Sequence, residues 1–197
     1  MKDSSFLAWI LRMNLVARWS PMHLVKLENV AEHSHQVAVI AHLLATVKNA
    51  YCSGNVDPEK AATIALYHEV SETKLQDINH ITKYSSPSFT KEIKKLEDMA
   101  EVKCLESLPT RLQPLFEELL VQKQVDPIYK QLVKAADVIA AYFKACDELK
   151  YQNPEFVTVK DRLGKKIENF KDDMPEVGVF MDLFENNCLV SLDEMSD

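Results

Sequence analysis

An apolar helical stretch ends in a histidine and two glutamates. These side chains could bind a metal ion or transfer protons. The largely apolar residues 61–66 lead into His68, Glu69 and Glu72. His68 and Glu72 are four residues apart, so they share one face if the helix continues. Polar groups left unpaired at the buried end of a helix are costly. We therefore expect a partner for them, and a divalent cation is one such partner, whose other ligands must come from elsewhere in the chain.

His33 is one candidate for such a ligand because of its place in a predicted helix. Asn29 is a good N-cap, and Glu32 three residues later completes a capping-box pattern. The positive end of this helix favours a neutral imidazole at His33, which is the form that binds metals. His35 and His42 fall on other faces, and we interpret them as surface or packing residues.

Asp137 is the other candidate, because it lies in the longest and most apolar predicted helix. Asp126 and Pro127 open this helix as its N-cap and first residue. Alanines on both sides of Asp137 allow another helix to approach closely, which makes an aspartate there conspicuous. An aspartate on the solvent-facing margin of the helix is an equally compatible interpretation.

Helical periodicity accounts for the rest of the chain, and no segment reads as a strand. Only three glycines occur, which disfavours turn-rich β folds and glycine-rich phosphate loops. We predict an all-α, single-domain helical bundle over residues 1–197, with its core at about 4–187 and a loosely held tail at about 188–197. An irregular segment over 74–88 is long enough to be functional. The predicted helices cover residues 4–17, 30–49, 58–72, 88–108, 110–122, 127–151 and 154–170, with a short one near 181–184.

Helix starts and one apolar stripe are predicted from local patterns. Asp57 followed by Pro58 is a cap-plus-proline start, and Thr110 with Gln113 has the form of a capping box. Either Ser88 or Thr90 is expected to cap the helix that reaches 108. Leucines of the first helix are predicted to widen its buried stripe, at Leu7, Leu11 and Leu15.

Composition limits the partners of the protein. A net charge of −7 argues against binding to nucleic acid polymers, which relies on basic surfaces, although a small anion can still bind locally. No stretch approaches the ~18 apolar residues of a membrane span, and we recognise no signal peptide, so no membrane partner is expected. Four scattered cysteines without C-x-x-C spacing are typical of reduced thiols, and we therefore expect a cytoplasmic protein.

Arg18 and Trp19 lie just before Pro21, which disfavours helix at the residue that precedes it. Both residues should therefore lie near a helix end. The simplest interpretation is that Arg18 complements the negative end of the helix and that Trp19 belongs to the core.

The order of the candidate ligands along the chain resembles the HD-domain metal-dependent phosphohydrolases, in which a helical bundle holds a metal with one His, a His-Asp doublet and a distant Asp. Here the order is His33, then His68-Glu69, then Asp137. The resemblance becomes specific to the bacterial 5′-deoxynucleotidases and spans essentially the whole chain. The segments that carry it are Arg18-Trp19, Glu28-Asn29-Val30-Ala31-Glu32-His33-Ser34, Tyr67-His68-Glu69, Ser71-Glu72, Asp77 and Lys134-x-Ala136-Asp137.

The resemblance implies a function and a cofactor. Members of that family remove the phosphate from deoxyribonucleoside 5′-monophosphates, are all-α homodimers and need a divalent metal. It therefore implies a nucleoside monophosphate as substrate, a second copy of the chain as partner, and one ion such as Co, Mn, Zn or Fe. The implied ligands of this ion are His33, His68, Glu69 and Asp137.

The resemblance also implies roles for four further residues. Arg18 would bind the substrate phosphate, which a planar guanidinium fits well. Trp19 would lie against the sugar or base. Glu72 and Asp77 would act on the attacking water and the leaving oxygen, with Asp77 also binding substrate.

Glu69 departs from the family pattern, whose doublet is His-Asp. Two other functions remain as alternatives to a 5′-deoxynucleotidase. One is another HD-type hydrolase, for instance a phosphodiesterase that acts on a nucleotide signal, although Arg18-Trp19 together with Asp77 favours the deoxynucleotidase. The other is a non-catalytic nucleotide-binding protein, and Glu69 is the residue that suggests it.

Overall fold

The regular secondary structure of the described chain is helical, as predicted. The computed structural model describes residues 3–195, and within them ten α-helices occur without a strand. In chain order they are α1 Phe6–Ile10, α2 Val30–Tyr51, α3 Pro58–Tyr67, α4 Glu72–Leu75, α5 His80–Lys83, α6 Pro87–Glu106, α7 Gln113–Leu120, α8 Pro127–Lys150, α9 Val157–Asp173 and α10 Pro175–Leu189. None of these helices is both long and apolar enough to cross a bilayer.

The core lies where α2 and α8 pack against each other, with α3, α9 and α10 around them. Large apolar side chains such as Leu44 and Ile139 are fully buried there. The alanines on either side of Asp137 are buried as well, at Ala135, Ala136, Ala140 and Ala141. Because alanine side chains are small, the neighbouring helices can approach the middle of α8. Asp137 lies in this part of α8.

Three of the predicted helix starts are confirmed. Asn29 accepts from the Glu32 amide while the Glu32 side chain accepts from the Asn29 amide, so the capping box of α2 is complete. Asp57 and Asp126 cap α3 and α8, each with proline at the first turn. These patterns depend only on neighbouring residues, which is why they can be read from sequence.

Two other predicted starts are wrong. Ser86, rather than Ser88 or Thr90, caps α6, because Pro87 takes the first helical position. Thr110 caps nothing: α7 begins at Gln113, whose side chain donates instead to the Leu108 carbonyl. In both cases the helix begins at a residue other than the predicted one: α6 after the cap Ser86, and α7 at Gln113.

Several predicted element lengths also change. The helix predicted over 58–72 ends at Tyr67, and the segment 74–88 contains α5 instead of being irregular throughout. The last helix, α10, is much longer than the short one predicted. In the region of the predicted tail, α10 ends at Leu189 and a short 3-10 turn follows at Leu192–Glu194; residues 196 and 197 lie outside the described part.

The first predicted helix changes character partway along. It is α-helical only to Ile10 and continues as a 3-10 turn over Leu11–Leu15. Phe6 and Met13 are buried, whereas the three leucines that were predicted to widen the stripe are exposed. Leu7, Leu11 and Leu15 are each more than half exposed, which corrects the prediction that they widen the buried stripe.

Candidate active site and metal centre

Four side chains that can ligate a metal meet inside the bundle. One ligand atom from each of His33, His68, Glu69 and Asp137 lies within 4.8 Å of all the others. The His33 Nε2 is 3.2 Å from Asp137 Oδ1, and the His68 Nε2 is 3.5 Å from Glu69 Oε1. The sequence-predicted ligand set is thus brought together in one place.

Three separate parts of the fold supply these side chains. His33 lies in the first turns of α2 and is fully buried. His68 is the C-cap of α3, and Glu69 follows it in a turn. Asp137 projects from the middle of α8. The close packing of α2 with α3 and α8 therefore creates the cluster.

The orientation of His68 fits a metal ion. Its Nδ1 lies 2.7 Å from the Ala65 carbonyl oxygen, to which only a protonated Nδ1 can donate. The Nε2 then carries a lone pair, and it is buried without a hydrogen-bond partner in the described structure. Burial lowers the pKa of His68, so the neutral ring is favoured. A buried lone pair that faces two carboxylates is a position that a cation can satisfy.

Both carboxylates of the cluster are held in the charged form. Burial alone would raise the pKa of Asp137, but Lys134, whose Nζ is 2.6 Å from Oδ2, and His33 hold it well below its usual value. For Glu69, burial likewise opposes ionisation, while His68 and Arg18 lower the pKa. Two imidazoles and two carboxylates form a donor set that suits first-row divalent ions.

Glu72 lies beside the cluster, but on a different helix from the one predicted. Because α3 ends at Tyr67, His68 and Glu72 do not share one helical face; Glu72 is instead the first residue of α4. Its Oε2 is buried and has no hydrogen-bond partner among the described residues. Burial raises the pKa of Glu72 to about 10, and the charges of Glu69 and Asp77 act in the same direction.

Arg18 and Trp19 are fixed by one buried carboxylate, that of Glu28. Its Oε2 accepts from Arg18 Nε at 3.1 Å and from the Trp19 indole N–H at 2.6 Å. Burial lowers the pKa of Arg18, but the surrounding carboxylates, Glu69 first, outweigh it and raise the pKa. Arg18 donates to Glu28 through Nε, so its terminal amino groups are available to an anion next to the cluster.

Trp19 is a half-buried packing residue. Its ring packs edge-on against the buried Phe156, with centroids 5.3 Å apart, as the simpler interpretation suggested. Arg18 lies three residues after the end of the 3-10 helix Leu11–Leu15, in a segment whose backbone pairs with residue 28. The Arg18 amide donates to the Glu28 carbonyl at 3.0 Å.

Asp77 joins the segment after α4 to the segment that carries Trp19. Its Oδ2 accepts from the Trp19 backbone N–H at 2.9 Å. The residues on both sides of this bond have left-handed backbones, with φ of 66° at Trp19 and 66° at Gln76. Such values are unfavourable for residues with a side chain and persist only where the surroundings impose them. The Asp77 contact is one such constraint.

Two residues of the site were missed as participants by the sequence analysis. Glu28 and Lys134 belong to the segments that carry the family resemblance, yet neither was given a role. Lys134 had a usable signal, since a lysine three residues before an aspartate on a helix can pair with it. Glu28 had none, because its contacts depend on how the segment before α2 folds back. His35 and His42 are exposed, as interpreted.

Comparison with known proteins decides the family. A sequence model described as 5′-deoxynucleotidase YfbR-like matches residues 5–188. The chain belongs to the YfbR-like 5′-deoxynucleotidase family. The 5′-deoxynucleotidase of Vibrio vulnificus is 40% identical over 196 residues, an alignment that covers 100% of both chains. This confirms the predicted family and its class, a phosphate ester hydrolase.

Solved structures agree with the fold of this YfbR-like protein. An HD-domain phosphohydrolase from Listeria innocua superposes with a TM-score of 0.82 at 20% identity, over 95% of this chain and 90% of that one. An HD phosphohydrolase of cyanophage S-2L, bound to dA and one catalytic Zn²⁺ ion, gives a TM-score of 0.68 at 18% identity, over 95% and 97% of the two chains. At these identities the likeness establishes the HD-type fold, which confirms the predicted fold class.

Proposed function

We propose that this protein removes the 5′-phosphate from deoxyribonucleoside 5′-monophosphates and that one divalent ion, such as Co, Mn, Zn or Fe, is required. The observation that carries the proposal is the buried cluster of two imidazoles and two carboxylates beside a guanidinium, in a chain of the YfbR-like family. The substrate named for the Vibrio vulnificus relative and the Zn²⁺ of the cyanophage protein agree with it.

The ion would be held by His33, His68, Glu69 and Asp137. When bound, a divalent ion supplies Lewis-acid chemistry, since it offsets phosphate charge and makes water a better nucleophile near neutral pH. The protein residues keep these ligands in the required state. The Ala65 carbonyl fixes the tautomer of His68, and Lys134 together with His33 keeps Asp137 ionised against the opposing effect of burial.

Arg18 binds the phosphate group of the substrate. A planar guanidinium can donate two parallel hydrogen bonds to phosphate oxygens. Glu28 fixes the direction of this side chain through Nε and so keeps the terminal amino groups pointed to one place. A fixed donor pair holds the phosphorus in line for attack, which is a positional contribution to the rate.

Glu72 and Asp77 handle protons and position the nucleoside. Glu72 is next to the cluster with an unpaired carboxyl oxygen, so it can orient the attacking water or donate a proton to the departing 5′-oxygen. Asp77 uses one oxygen to hold the Trp19 amide, and we assign its other oxygen to the substrate and its leaving oxygen.

Trp19 covers the sugar and excludes a 2′-hydroxyl. Its ring is held from behind by Phe156 and at its edge by Glu28, so it cannot move aside easily. A ribose hydroxyl against this apolar wall would lose its hydrogen bonds to water. That loss corresponds to roughly 1–3 kcal/mol, or about 5- to 150-fold in favour of the deoxyribonucleotide.

A homodimer and a cytoplasmic location complete the proposal. The homodimer is supported by an open, largely apolar groove of about 900 Å³ beside α2, α8 and α10, where Val39 and Leu27 are exposed. The cytoplasmic location is supported by four free cysteines, which a reducing compartment maintains. Sedimentation equilibrium should give twice the chain mass, and Val39→Lys should return the monomer.

The proposed reaction is tested by measuring phosphate release. The substrates are paired deoxyribo- and ribonucleoside monophosphates, each assayed with several divalent ions. We expect release from the deoxy series, little dependence on the base, and loss of release on chelation. Glu72→Ala should lose turnover while metal still binds, and Arg18→Ala should chiefly lose substrate binding. Equal rates on both sugars, or an unaffected Glu72→Ala enzyme, would overturn the mechanism.

A further inference from the structure

One histidine near the candidate active site is influenced by the charges of four cations. The residues are His80 of α5, its neighbour Lys83, Lys134 of α8, and Arg162 and Lys166 of α9; we call them the His80 cluster. Arg162 Nη1 lies 3.1 Å from His80 Nδ1, which accepts its hydrogen bond. Burial, then Arg162 and the three lysines, lower the pKa of His80, so all four charges lie close enough to act on it.

Two of these cations are neutralised by carboxylates and two are not. Lys134 pairs with Asp137, and Lys83 pairs with Glu97, each at 2.6 Å. Within residues 3–195, Arg162 and Lys166 have no carboxylate within ion-pair distance. The Arg162 Nε is also buried without a hydrogen-bond partner there. An unsatisfied buried donor and two uncompensated charges are unexpected in a chain with net charge −7.

Without a bound anion, the like charges of Arg162 and Lys166 repel each other. Arg162 and Lys166 are four residues apart on α9, where like charges repel across one turn. Burial and the charges of Lys134 and Arg162 lower the pKa of Lys166, which means that its charged form is destabilised in place. An anion between these groups would remove the repulsion and satisfy the Arg162 donors.

The His80 cluster adjoins the proposed active site through two connections. Lys134 belongs to both, because its Nζ contacts a carboxylate oxygen of the proposed ligand Asp137. His80 is three residues after Asp77, which holds the Trp19 backbone. An anion bound by Arg162 and Lys166 would therefore lie beside, and not within, the ligand set.

We propose that Arg162, Lys166 and His80 form a second anion subsite that binds a phosphate-class dianion next to the metal centre. A guanidinium supplies paired donors and an ammonium supplies charge, which together suit a tetrahedral dianion better than a single carboxylate. The phosphate has two possible sources. It is either free inorganic phosphate or a second phosphate group on a nucleotide whose 5′-phosphate occupies the active site; this second source rests on the proposed function.

Calorimetric titration of the chelator-treated protein with inorganic phosphate, at constant ionic strength, tests the subsite without any turnover. Arg162→Gln and Lys166→Gln should each weaken phosphate binding at least fivefold. Lys165→Gln is the matched control, since it removes the same charge from the adjacent, exposed position of α9 and should leave binding unchanged. Arg162→Lys, which keeps the charge, should retain more affinity than Arg162→Gln.

A second titration identifies the source of the phosphate. Deoxyadenosine 3′,5′-bisphosphate and deoxyadenosine 5′-monophosphate are compared on the native protein and on Lys166→Gln. If the second phosphate belongs to the nucleotide, the bisphosphate binds at least tenfold more tightly and Lys166→Gln removes the advantage. If free phosphate is the ligand, the two nucleotides bind equally while Lys166→Gln still weakens inorganic phosphate.

Either of two results overturns the subsite. One is phosphate affinity that is unchanged in folded Arg162→Gln and Lys166→Gln proteins, with folding verified by circular dichroism. The other is an equal loss in Lys165→Gln, which would indicate a general charge effect. Failure of the proposed function is a separate result: absence of nucleotide hydrolysis would leave the inorganic phosphate titration as it is.

Discussion

Glu69 enters the candidate metal-binding cluster from a turn, and this accounts for how a glutamate can stand where the family pattern has an aspartate. The helix ends at Tyr67, so the direction of the side chain at 69 is not imposed by helical geometry. Its carboxylate reaches within 3.5 Å of His68 Nε2 despite the additional methylene. The cluster is therefore compact with glutamate in place, which favours an active enzyme over a non-catalytic nucleotide-binding protein.

Glu69→Asp should keep or raise metal affinity and turnover, because the same turn can present the shorter carboxylate. Glu69→Ala, which removes the ligand, should lower metal affinity by more than the roughly 10- to 100-fold that loss of a residue orienting a ligand causes. Metal titration by calorimetry measures both. If Glu69→Asp abolishes an activity that the parent shows, the site is instead built specifically around glutamate.

A buried glutamate away from the active site gives a pH-dependent stability. Glu101 of α6 is 4% exposed and accepts from the Gln122 amide at 2.9 Å. Burial raises its pKa to about 7 in the folded protein, from an ordinary value of 4.5. The folded state therefore holds this proton more tightly than the unfolded chain, and stability falls as pH rises from 4.5 through 7.

Glu101→Gln should remove this penalty, because the amide oxygen can still accept from Gln122 and has no charge to bury. We expect a gain on the order of 1 kcal/mol at pH 8 and little change at pH 5. Urea denaturation at both pH values measures it. Glu106→Gln, an exposed change of the same charge on α6, is the control; an equal gain there, or a gain at Glu101 that does not depend on pH, contradicts the assignment.

The identity of the candidate ligands could be read from residue types and order, whereas their surroundings could not. His33, Glu69 and Asp137 were found because imidazoles and carboxylates in buried helical contexts are unusual. Glu28 was missed because its role depends on a contact formed when the chain before α2 folds back onto Arg18. Such contacts are absent from any local pattern.

The segment before α2 is an element without regular structure, and α8 holds it in place. Glu148 of α8 is 1% exposed and accepts from the Val25 and Lys26 amides at 2.8 and 3.1 Å. Lys144 and Asn153 donate to the same carboxylate. Burial alone would raise the pKa of Glu148, but these four donors lower it to about 2. The carboxylate thus fixes the segment that ends in Glu28.

Glu148→Gln should destabilise the protein by about 3 kcal/mol, because one amide oxygen cannot accept four hydrogen bonds and Lys144 is left buried without a counter-charge. The loosened segment should also release Glu28, so that KM for the nucleotide rises more than kcat falls. Urea denaturation and steady-state kinetics measure the two effects. Asp147→Asn, the adjacent change of the same charge, should produce neither effect. A normal KM in Glu148→Gln would show that Glu148 does not influence substrate binding.

The starts of α3 and α8 were more predictable than the end of α3. The Asp-Pro starts of α3 and α8 are complete within a few residues, so the sequence contains the whole signal. The end of α3 at Tyr67 is different, because the residues after it continue a helical pattern. In the folded protein these residues form a turn, in which His68 and Glu69 contact the other candidate ligands. Tertiary contacts of this kind outweigh local helix propensity.

At the scale of the whole molecule, the proposed ligands link parts of the chain that are distant in sequence. His33 and Asp137, whose side chains are 3.2 Å apart, are separated by 104 positions. The cluster exists only when α2, α3 and α8 are packed together. A metal bound there binds the folded state and not the unfolded chain, so it stabilises the whole fold.

Chelation of the metal should therefore lower the melting temperature. At a free metal concentration of about 100 times Kd the linkage is about 2.7 kcal/mol, which for a chain of this size corresponds to roughly 5–10 °C. Scanning calorimetry with and without chelator measures the shift. His33→Ala should show no shift, while His42→Ala, a change at an exposed histidine of the same helix, should keep it. A shift that persists in His33→Ala would place the metal elsewhere.

The candidate ligands lie on both sides of the segment between α4 and α6, so a cut in this segment would divide them between two fragments. The segment between α4 and α6 is exposed at Ile81 and Tyr84, so a protease can reach it. Cleavage there leaves His33, His68 and Glu69 on one fragment and Asp137 on the other. An ion shared by the two fragments acts as a non-covalent cross-link between them. The nicked protein should then remain a single species in gel filtration to a higher urea concentration with metal than without it.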